Sequence, residues 1–484
     1  MRTNALLLVL LLPAAAAGAP PRLGVVVAVD QMRPEYLDRS DLPDGGFRRL
    51  RREGARFPYA SHLHIPTETG PGHAALSTGR TPATHGIIGN DWYDRRLGRD
   101  VYCFADSVYG LGPENMRGPT LADALKAARP GARVFAVSEK DRSAIAFGGR
   151  RGDVVLWYDR SKGEFATSGY YRRPSWLGAF NASLRRKAVV AYDAEKKKTP
   201  KDAMASPAYD RALELLVDEL VAQERVGRGA STDLVMISYS GTDLVGHRWG
   251  LETPQMDAQL ASLDAILGRL LKRIEKASGG SVALALSGDH GAIHAPEDAS
   301  GKASGVRRFD WMKFGESMEK ALQARWPSDK PWIVSNQVPL VYLNREAAAA
   351  RGLERGEFFK KAAETLARVD GVAGAYVAGE KGGPFDSQLA LSYDPGRSGD
   401  VYVMVAENVL LHDMAPGTSH GSPWPYDARV PLLFWGRGVK PGSPDVPAAT
   451  TDLAPTMARL LGFDYPASDG GAVRLEALAE EAAR

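Results

Sequence analysis

Cysteine is almost missing from this sequence: Cys103 is the only one in 484 residues. No intramolecular disulfide can form, and a zinc site built from several thiolates is excluded. An excess of one charge is missing as well. The formal net charge is +3, which offers no general attraction to polyanions and speaks against a nucleic-acid partner. Internal repeats are absent. Long apolar runs are confined to the start of the chain, where Met1-Arg-Thr-Asn precedes Ala5–Leu12 and the small residues Ala17-Gly18-Ala19. A basic start, a short apolar run and small residues make the pattern of a secretory signal peptide. The run is short for a bilayer span. Residues 1–19 are therefore expected to be a removable leader, with Pro20 leaving the cleavage position open. The mature chain is expected to be periplasmic or secreted, without stable membrane insertion.

What the sequence does contain is a series of buried-type runs. Gly24–Asp30, Arg133–Val137, Asp233–Tyr239, Ser281–Ser287 and Val430–Trp435 are rich in Val, Ile, Leu and Ala with little polar alternation. Such runs suit strands covered on both faces of a parallel sheet. Between them lie segments with helical spacing, at Tyr209–Val221 and Gln255–Ile274, and shorter ones at Phe47–Leu50, Thr120–Ala128 and Asp452–Leu461. Strands alternating with helices predict an α/β domain with a mostly parallel sheet sandwiched by helices. Residues 20–484 read as one domain with two insertions. One, about 150–205, is rich in Tyr, Trp and basic residues and reads as a cover over the site rather than core. The other, about 298–400, reads as a cap with strands at Val338–Leu343 and Val401–Val405.

Acids and histidines follow the runs repeatedly. Asp30 ends the first, Asp243 and His247 lie beyond the third, and Asp289 and His290 follow the fourth. A late polar loop, Thr418–Pro423, adds His420. Carboxyl ends of strands border the ligand crevice of an open α/β sheet, so these groups can meet at one edge. Asp243 and His247, four apart, share a face if helical. Gly288 and Gly291 permit the turn that adjacent Asp289 and His290 need to face one metal. Three Asp, three His and a hydroxyl suit two zinc ions. The hydroxyl is Thr69, in Ile65-Pro-Thr-Glu-Thr-Gly-Pro-Gly-His-Ala74. Taken alone it reads as a helix cap. Beside a metal it becomes a candidate nucleophile at a helix entrance whose free N–H groups attract anions. Lys140 and Arg142, at i and i+2 after the second run, would face the same way on an extended segment.

Together these motifs resemble the alkaline phosphatase superfamily, in the branch shared with nucleotide pyrophosphatases/phosphodiesterases. Val29-Asp30, Thr67-Glu-Thr69-Gly-Pro-Gly-His73, His85-Gly-Ile-Ile-Gly-Asn90, Asp243-Leu-Val-Gly-His247, Asp289-His290-Gly and Gly417-Thr-Ser-His420-Gly stand in the family's order. The resemblance implies that Asp243, His247 and His420 hold one zinc. It assigns the other to Asp30, Asp289, His290 and the Thr69 oxygen. Thr69 would attack phosphorus and form a phosphothreonine. Ser138-Glu-Lys140-Asp-Arg142 resembles the element of the phosphate-irrepressible, PafA-type bacterial alkaline phosphatases, in which an Asn, a Lys and an Arg bind the phosphoryl group. By that likeness Asn90, Lys140 and Arg142 bind substrate, and the substrates are small-molecule phosphate monoesters. A nucleotide pyrophosphatase/phosphodiesterase using the same two zincs is the alternative. Gly288 stands where the family pattern has a slightly larger residue. His73 and His85 are expected to be supporting or structural, and His62, His64, His294 and His412 to lie on the surface or in loops. The oligomeric state is left open, a monomer being compatible with every feature.

Overall fold

The computed structural model describes residues 19–43, 45–467 and 469–483. The leader read over residues 1–19 lies, apart from Ala19, outside them.

Strand β1 (Leu23–Val29) is central, and all seven of its residues are buried. Successive side chains leave a strand on opposite faces. Val25, Val27 and Val29 therefore enter one core, while Val26 and Ala28 enter another. Both faces of the sheet are dry, which is why the run shows no polar alternation. The remaining strands of this sheet are β2 (Ala55–Phe57), β3 (Arg133–Ser138), β4 (Val154–Asp159), β5 (Glu164–Ala166), β6 (Asp233–Tyr239), β7 (Val282–Gly288) and β8 (Leu432–Gly436). Their order is β5-β4-β3-β6-β1-β7-β8-β2. The block from β4 to β7 is parallel throughout. β5, β8 and β2 each pair antiparallel at the flanks.

Helices cover both faces. On one side lie α1 (Thr69–Thr78), α2 (Asp141–Gly148) and the helices Leu121–Ala128 and Leu453–Leu460. On the other lie α3 (Pro207–Gln223) and the 25-residue α5 (Pro254–Ser278), with α4 (Gly241–Trp249) between them in sequence. Apolar residues at Leu260, Leu263, Ile266, Leu267, Leu270 and Leu271 make the buried face of α5, the stripe that helical spacing predicts. The α/β class and the mostly parallel sheet agree with the sequence reading.

The segment 150–205 departs from it. Val154–Asp159 is a core strand paired with β3, and Glu164–Ala166 is its antiparallel edge partner. The later part adds the helix Leu177–Arg186, which packs beside β5 through Leu177, Phe180 and Leu184. The apolar half of this stretch is short, and its aromatic and basic flanks obscure the strand. Residues 298–400 carry a separate core. Ile333–Gln337, Leu340–Leu343, Val401–Val405 and Val372–Val377 form a four-stranded antiparallel sheet in that order. Trp311–Arg325 and Arg355–Leu366 pack on it through Phe314, Met318, Leu322, Phe358 and Leu366. Among the described residues no helix is long and apolar enough to cross a membrane.

Candidate active site

The parallel strands end on one edge, and the chemistry collects there. Asp30 follows β1, Lys140 follows β3 by two residues, and Asp289 and His290 follow β7. Helix α4, just beyond β6, carries Asp243 and His247 one turn apart, with His247 Nε2 3.1 Å from Asp243 Oδ1. His420 comes in on its loop, with Nε2 3.6 Å from the same oxygen. Gly288 is required here: a methyl group on it would lie 2.8 Å from Met32 Cβ and 3.1 Å from the Met32 carbonyl oxygen. The larger residue expected at this position has no room.

Thr69 is the first residue of α1 and is 1 % exposed. It does not cap the helix, since Glu68 holds the N-cap position and makes no side-chain cap bond. The Thr69 hydroxyl instead faces two cations, with Lys140 Nζ at 3.4 Å and Arg142 Nη2 at 3.3 Å. Lys140 reaches them from an extended N-cap, but Arg142 already sits in the first turn of α2. The shared direction therefore comes from the strand-to-helix junction and not from an extended segment. Two of the N–H groups expected at the α1 entrance are also spoken for. Gly70 N–H donates to Asn90 Oδ1 at 2.8 Å and Gly72 N–H to the Glu68 carbonyl at 2.9 Å, while Pro71 has none. Asn90, itself held through its N–H by Glu68 Oε2 at 2.7 Å, uses its oxygen on the helix. Its amide N–H groups are left for a ligand.

The metal-type side chains form two tight groups, Asp30–Asp289–His290 and Asp243–His290–His420. His290 belongs to both because its ring stacks on that of His420 at 3.5 Å. His247, assigned with Asp243 and His420 by family resemblance, stands at the rim of the second group, its ring centroid 5.2 Å from that of His420. Each of the three histidines is anchored through Nδ1 on a backbone carbonyl: His247 on Thr418 at 2.8 Å, His290 on Gly291 at 3.0 Å and His420 on Thr67 at 2.8 Å. That fixes one tautomer and aims each Nε2 inward, the arrangement that metal-binding imidazoles adopt. No hydrogen bond of good geometry reaches either Asp30 oxygen, Asp289 Oδ2 or His290 Nε2, all buried.

The electrostatics point the same way. Burial, with the Asp243 and Asp289 carboxylates alongside, pushes Asp30 above the usual carboxylate range. Burial opposes a charge on His290, yet the Asp289 and Asp30 carboxylates carry it up to about 9. Lys140 contacts both Asp30 and Asp243, the latter at 2.6 Å. Three buried carboxylates lean on one lysine and on a histidine held charged by them, a compensation that divalent cations would take over. The residues present thus fit metal ions, and all the sequence-predicted ligands gather at this one edge.

One feature here carries no signal in the sequence, and a second, His73, takes the supporting place that its motif implies. Gln31 has a left-handed backbone, φ 62°. Its side-chain amide donates to Asp243 Oδ1 at 2.8 Å and its N–H to Asp289 Oδ1 at 3.1 Å. His73 accepts and donates across three elements, touching the Thr69 carbonyl at 2.9 Å, Ser238 Oγ at 2.7 Å and Asp289 Oδ2 at 3.2 Å. His62 and His64, expected on the surface or in loops, lie in the loop before α1 but are buried there, at 4 % and 1 % exposure.

A family model described as type I phosphodiesterase / nucleotide pyrophosphatase matches residues 24–423. The chain belongs to that family. It is 30% identical to alkaline phosphatase PhoV of Synechococcus elongatus, over 94% of this chain and 92% of that one. It is 29% identical to alkaline phosphatase PafA of Elizabethkingia meningoseptica, over 93% of each. The crystal structure of wild-type PafA superimposes with a TM-score of 0.86 at 27% identity, covering 95% of this chain and 99% of that one. The family and these full-length likenesses make the chain a phosphoric ester hydrolase with an alkaline-phosphatase-like fold.

Proposed function

We propose that this hydrolase acts on phosphate monoesters, with Thr69 as nucleophile and a covalent phosphothreonine as intermediate. The observation that carries the reading is the convergence of Lys140 and Arg142 on the Thr69 hydroxyl, at 3.4 and 3.3 Å. A monoester brings about two negative charges and three non-bridging oxygens to that point. A diester brings one charge and a second organic group. Two fixed cations and the Asn90 amide match the first and gain less from the second.

Asp30, Asp289, His290 and the Thr69 oxygen would hold one divalent cation, and Asp243, His247 and His420 a second. We read both as zinc, because mixed imidazole and carboxylate sets suit it. Such ions, when bound, would lower the pKa of the threonine hydroxyl and offset charge on the phosphoryl oxygens. The chain's own groups do the rest. The α1 dipole favours negative charge at its entrance. Arg142 grips phosphoryl oxygens through its planar fork, and Lys140 adds a compact charge. His73 and Asn90 hold the first turn of α1 in place, so that the nucleophile is positioned before substrate arrives. In the same reading residues 1–19 direct export, residues 20–484 act as one catalytic domain, and 298–400 caps it.

The test compares kcat/KM for an aryl phosphate and its bis-aryl diester with zinc-loaded protein. The monoester is expected to be strongly preferred. Equal or faster diester turnover would make the chain a nucleotide pyrophosphatase/phosphodiesterase instead. Thr69→Ala is expected to cut turnover by about 10³-fold or more with bound metal retained. Replacing both Lys140 and Arg142 by Ala is expected to cost about 10²-fold on the monoester and far less on the diester. Equal losses on the two esters would remove their role in choosing the substrate.

A further inference from the structure

Directly behind Lys140 and α4 lie two carboxyl groups that the chemistry above does not use. Glu139 is 2 % exposed and Asp210 0 %. Glu139 is the residue between β3 and Lys140, and Asp210 lies in the first turn of α3. Their carboxyl groups meet at neighbouring backbone donors, Ser240 N–H for Glu139 and Gly241 N–H for Asp210. Neither forms an ion pair with a Lys, Arg or His among the described residues. The N–H donors are divided unequally. Asp210 Oδ1 accepts from Gly241 N–H at 2.8 Å and Oδ2 from Gln259 Nε2 at 2.6 Å. Glu139 Oε2 accepts from Ser240 N–H at 3.0 Å, and Oε1 has no N–H donor.

Two neighbouring carboxyls in a dry site each disfavour ionisation of the other. The better-supplied one, Asp210, is the carboxylate. The other has room for a proton on Oε1, which no N–H group reaches. Burial, with Asp210 next to it, raises Glu139 well above the usual range, and burial raises Asp210 to about 6, in line with that assignment. The pair spans the seam that matters. Glu139 is continuous with Lys140, while Ser240 and Gly241 open the helix that carries Asp243 and His247. Lys140 in turn lies 2.6 Å from Asp243.

We propose that Glu139 and Asp210 share one proton, and that this buried pair positions Lys140 against the Asp243–His247 helix. Glu139 and Asp210 are positioning residues: they act through Lys140 and α4 and never touch substrate. The inference rests on Lys140 being the phosphoryl-binding cation proposed above.

The test uses Glu139→Gln and Glu139→Met in the full, zinc-loaded chain. Glutamine can accept from Ser240 and donate to Asp210, so it is expected to keep the monoester-to-diester ratio of kcat/KM within about twofold. Methionine fills the volume but donates nothing, and it is expected to lower that ratio on the order of tenfold, mainly through KM for the monoester. In a Lys140→Ala background the methionine effect should vanish. A ratio unchanged by Glu139→Met, or equal losses on both esters, overturns the positioning role. Should the methionine variant not fold, infrared difference spectra of wild type against Glu139→Gln decide. A carboxylic-acid C=O band present only in wild type supports the shared proton, and its absence at pH 7 refutes it. If Lys140→Ala alone leaves the ratio unchanged, the fault lies with the substrate reading and not with the pair.

Discussion

Gln31 concentrates the logic of the site in one residue. A non-glycine residue at φ 62° costs on the order of 1–2 kcal/mol, and it persists only where neighbours hold it there. Here the left-handed turn right after Asp30 lets Gln31 send its amide to Asp243 and its N–H to Asp289. One residue thereby braces a carboxylate of each metal group. Hydrogen bonds to metal ligands fix their orientation, and removing them typically costs 10–100-fold in metal affinity. Gln31→Ala is therefore expected to weaken zinc binding by about 10–100-fold, measured by competition with a chromophoric chelator. Unchanged affinity would mean that Asp243 and Asp289 need no bracing. Nothing in the sequence marks Gln31, because both partners lie more than 200 positions away and the left-handed turn leaves no glycine behind as a clue. Asp30, Asp289 and His290 were legible for the opposite reason. They end runs that could only be buried parallel strands, and a parallel sheet delivers all such ends to one edge.

Elements meet at this edge with little clearance, most of all where α1 crosses the end of β7. A methyl group on Gly72 would overlap the Asp289 carbonyl oxygen and lie 2.9 Å from Asp289 Cβ. The helix carrying the nucleophile thus rests directly on the backbone of a metal ligand. Gly72→Ala is expected to lower the melting temperature by several degrees, since overpacking of this kind costs about 1–3 kcal/mol, and to lower metal content with it. Gly178, in the helix Leu177–Arg186, has open space around it, and Gly178→Ala is expected to be neutral or to stabilise by up to about 1 kcal/mol. Equal melting temperatures for the two variants would show that α1 can slide away from Asp289. The sequence shows a Gly-Pro-Gly turn at this point but not what the turn must clear. The strand Val154–Asp159 was hidden similarly. Its two faces are covered by α2 and by α3, the latter far along the chain, while its own flanks read as surface. Lys140 and Arg142 were found by a spacing argument whose geometry differs from the observed one. Both do reach Thr69, because β3 ends at Ser138 and α2 starts at Asp141, so that Lys140 and Arg142 lie on the strand-to-helix junction.

At the scale of the whole molecule, stability should depend on pH through histidines that are not among the metal-type side chains. Burial pushes His62 down to about 4, against the pull of its hydrogen bond to the Gly288 carbonyl, and pushes His85 down to about 3. Both are held neutral in the fold, with His62 also linked to Thr450 Oγ1 at 3.0 Å. The unfolded chain protonates such groups near pH 6.5. A group whose pKa is lowered by folding contributes stability that is complete above its unfolded value and is lost as pH falls toward its folded one. The window for His62 thus runs from about 6.5 down to about 4, and His85 extends it lower. Between pH 7 and 4.5 the proton linkage of His62 alone amounts to about 2 kcal/mol. Denaturant unfolding of the chelated protein at those two pH values reads this directly, without the linkage of metal to protons. His62→Gln, which offers a neutral side chain at every pH, is expected to start less stable at pH 7 and to lose about 2 kcal/mol less than wild type on acidification. Parallel pH profiles for the two proteins would show that His62 titrates normally, and that the layer between α1, β7 and Thr450 admits a charge that its burial argues against.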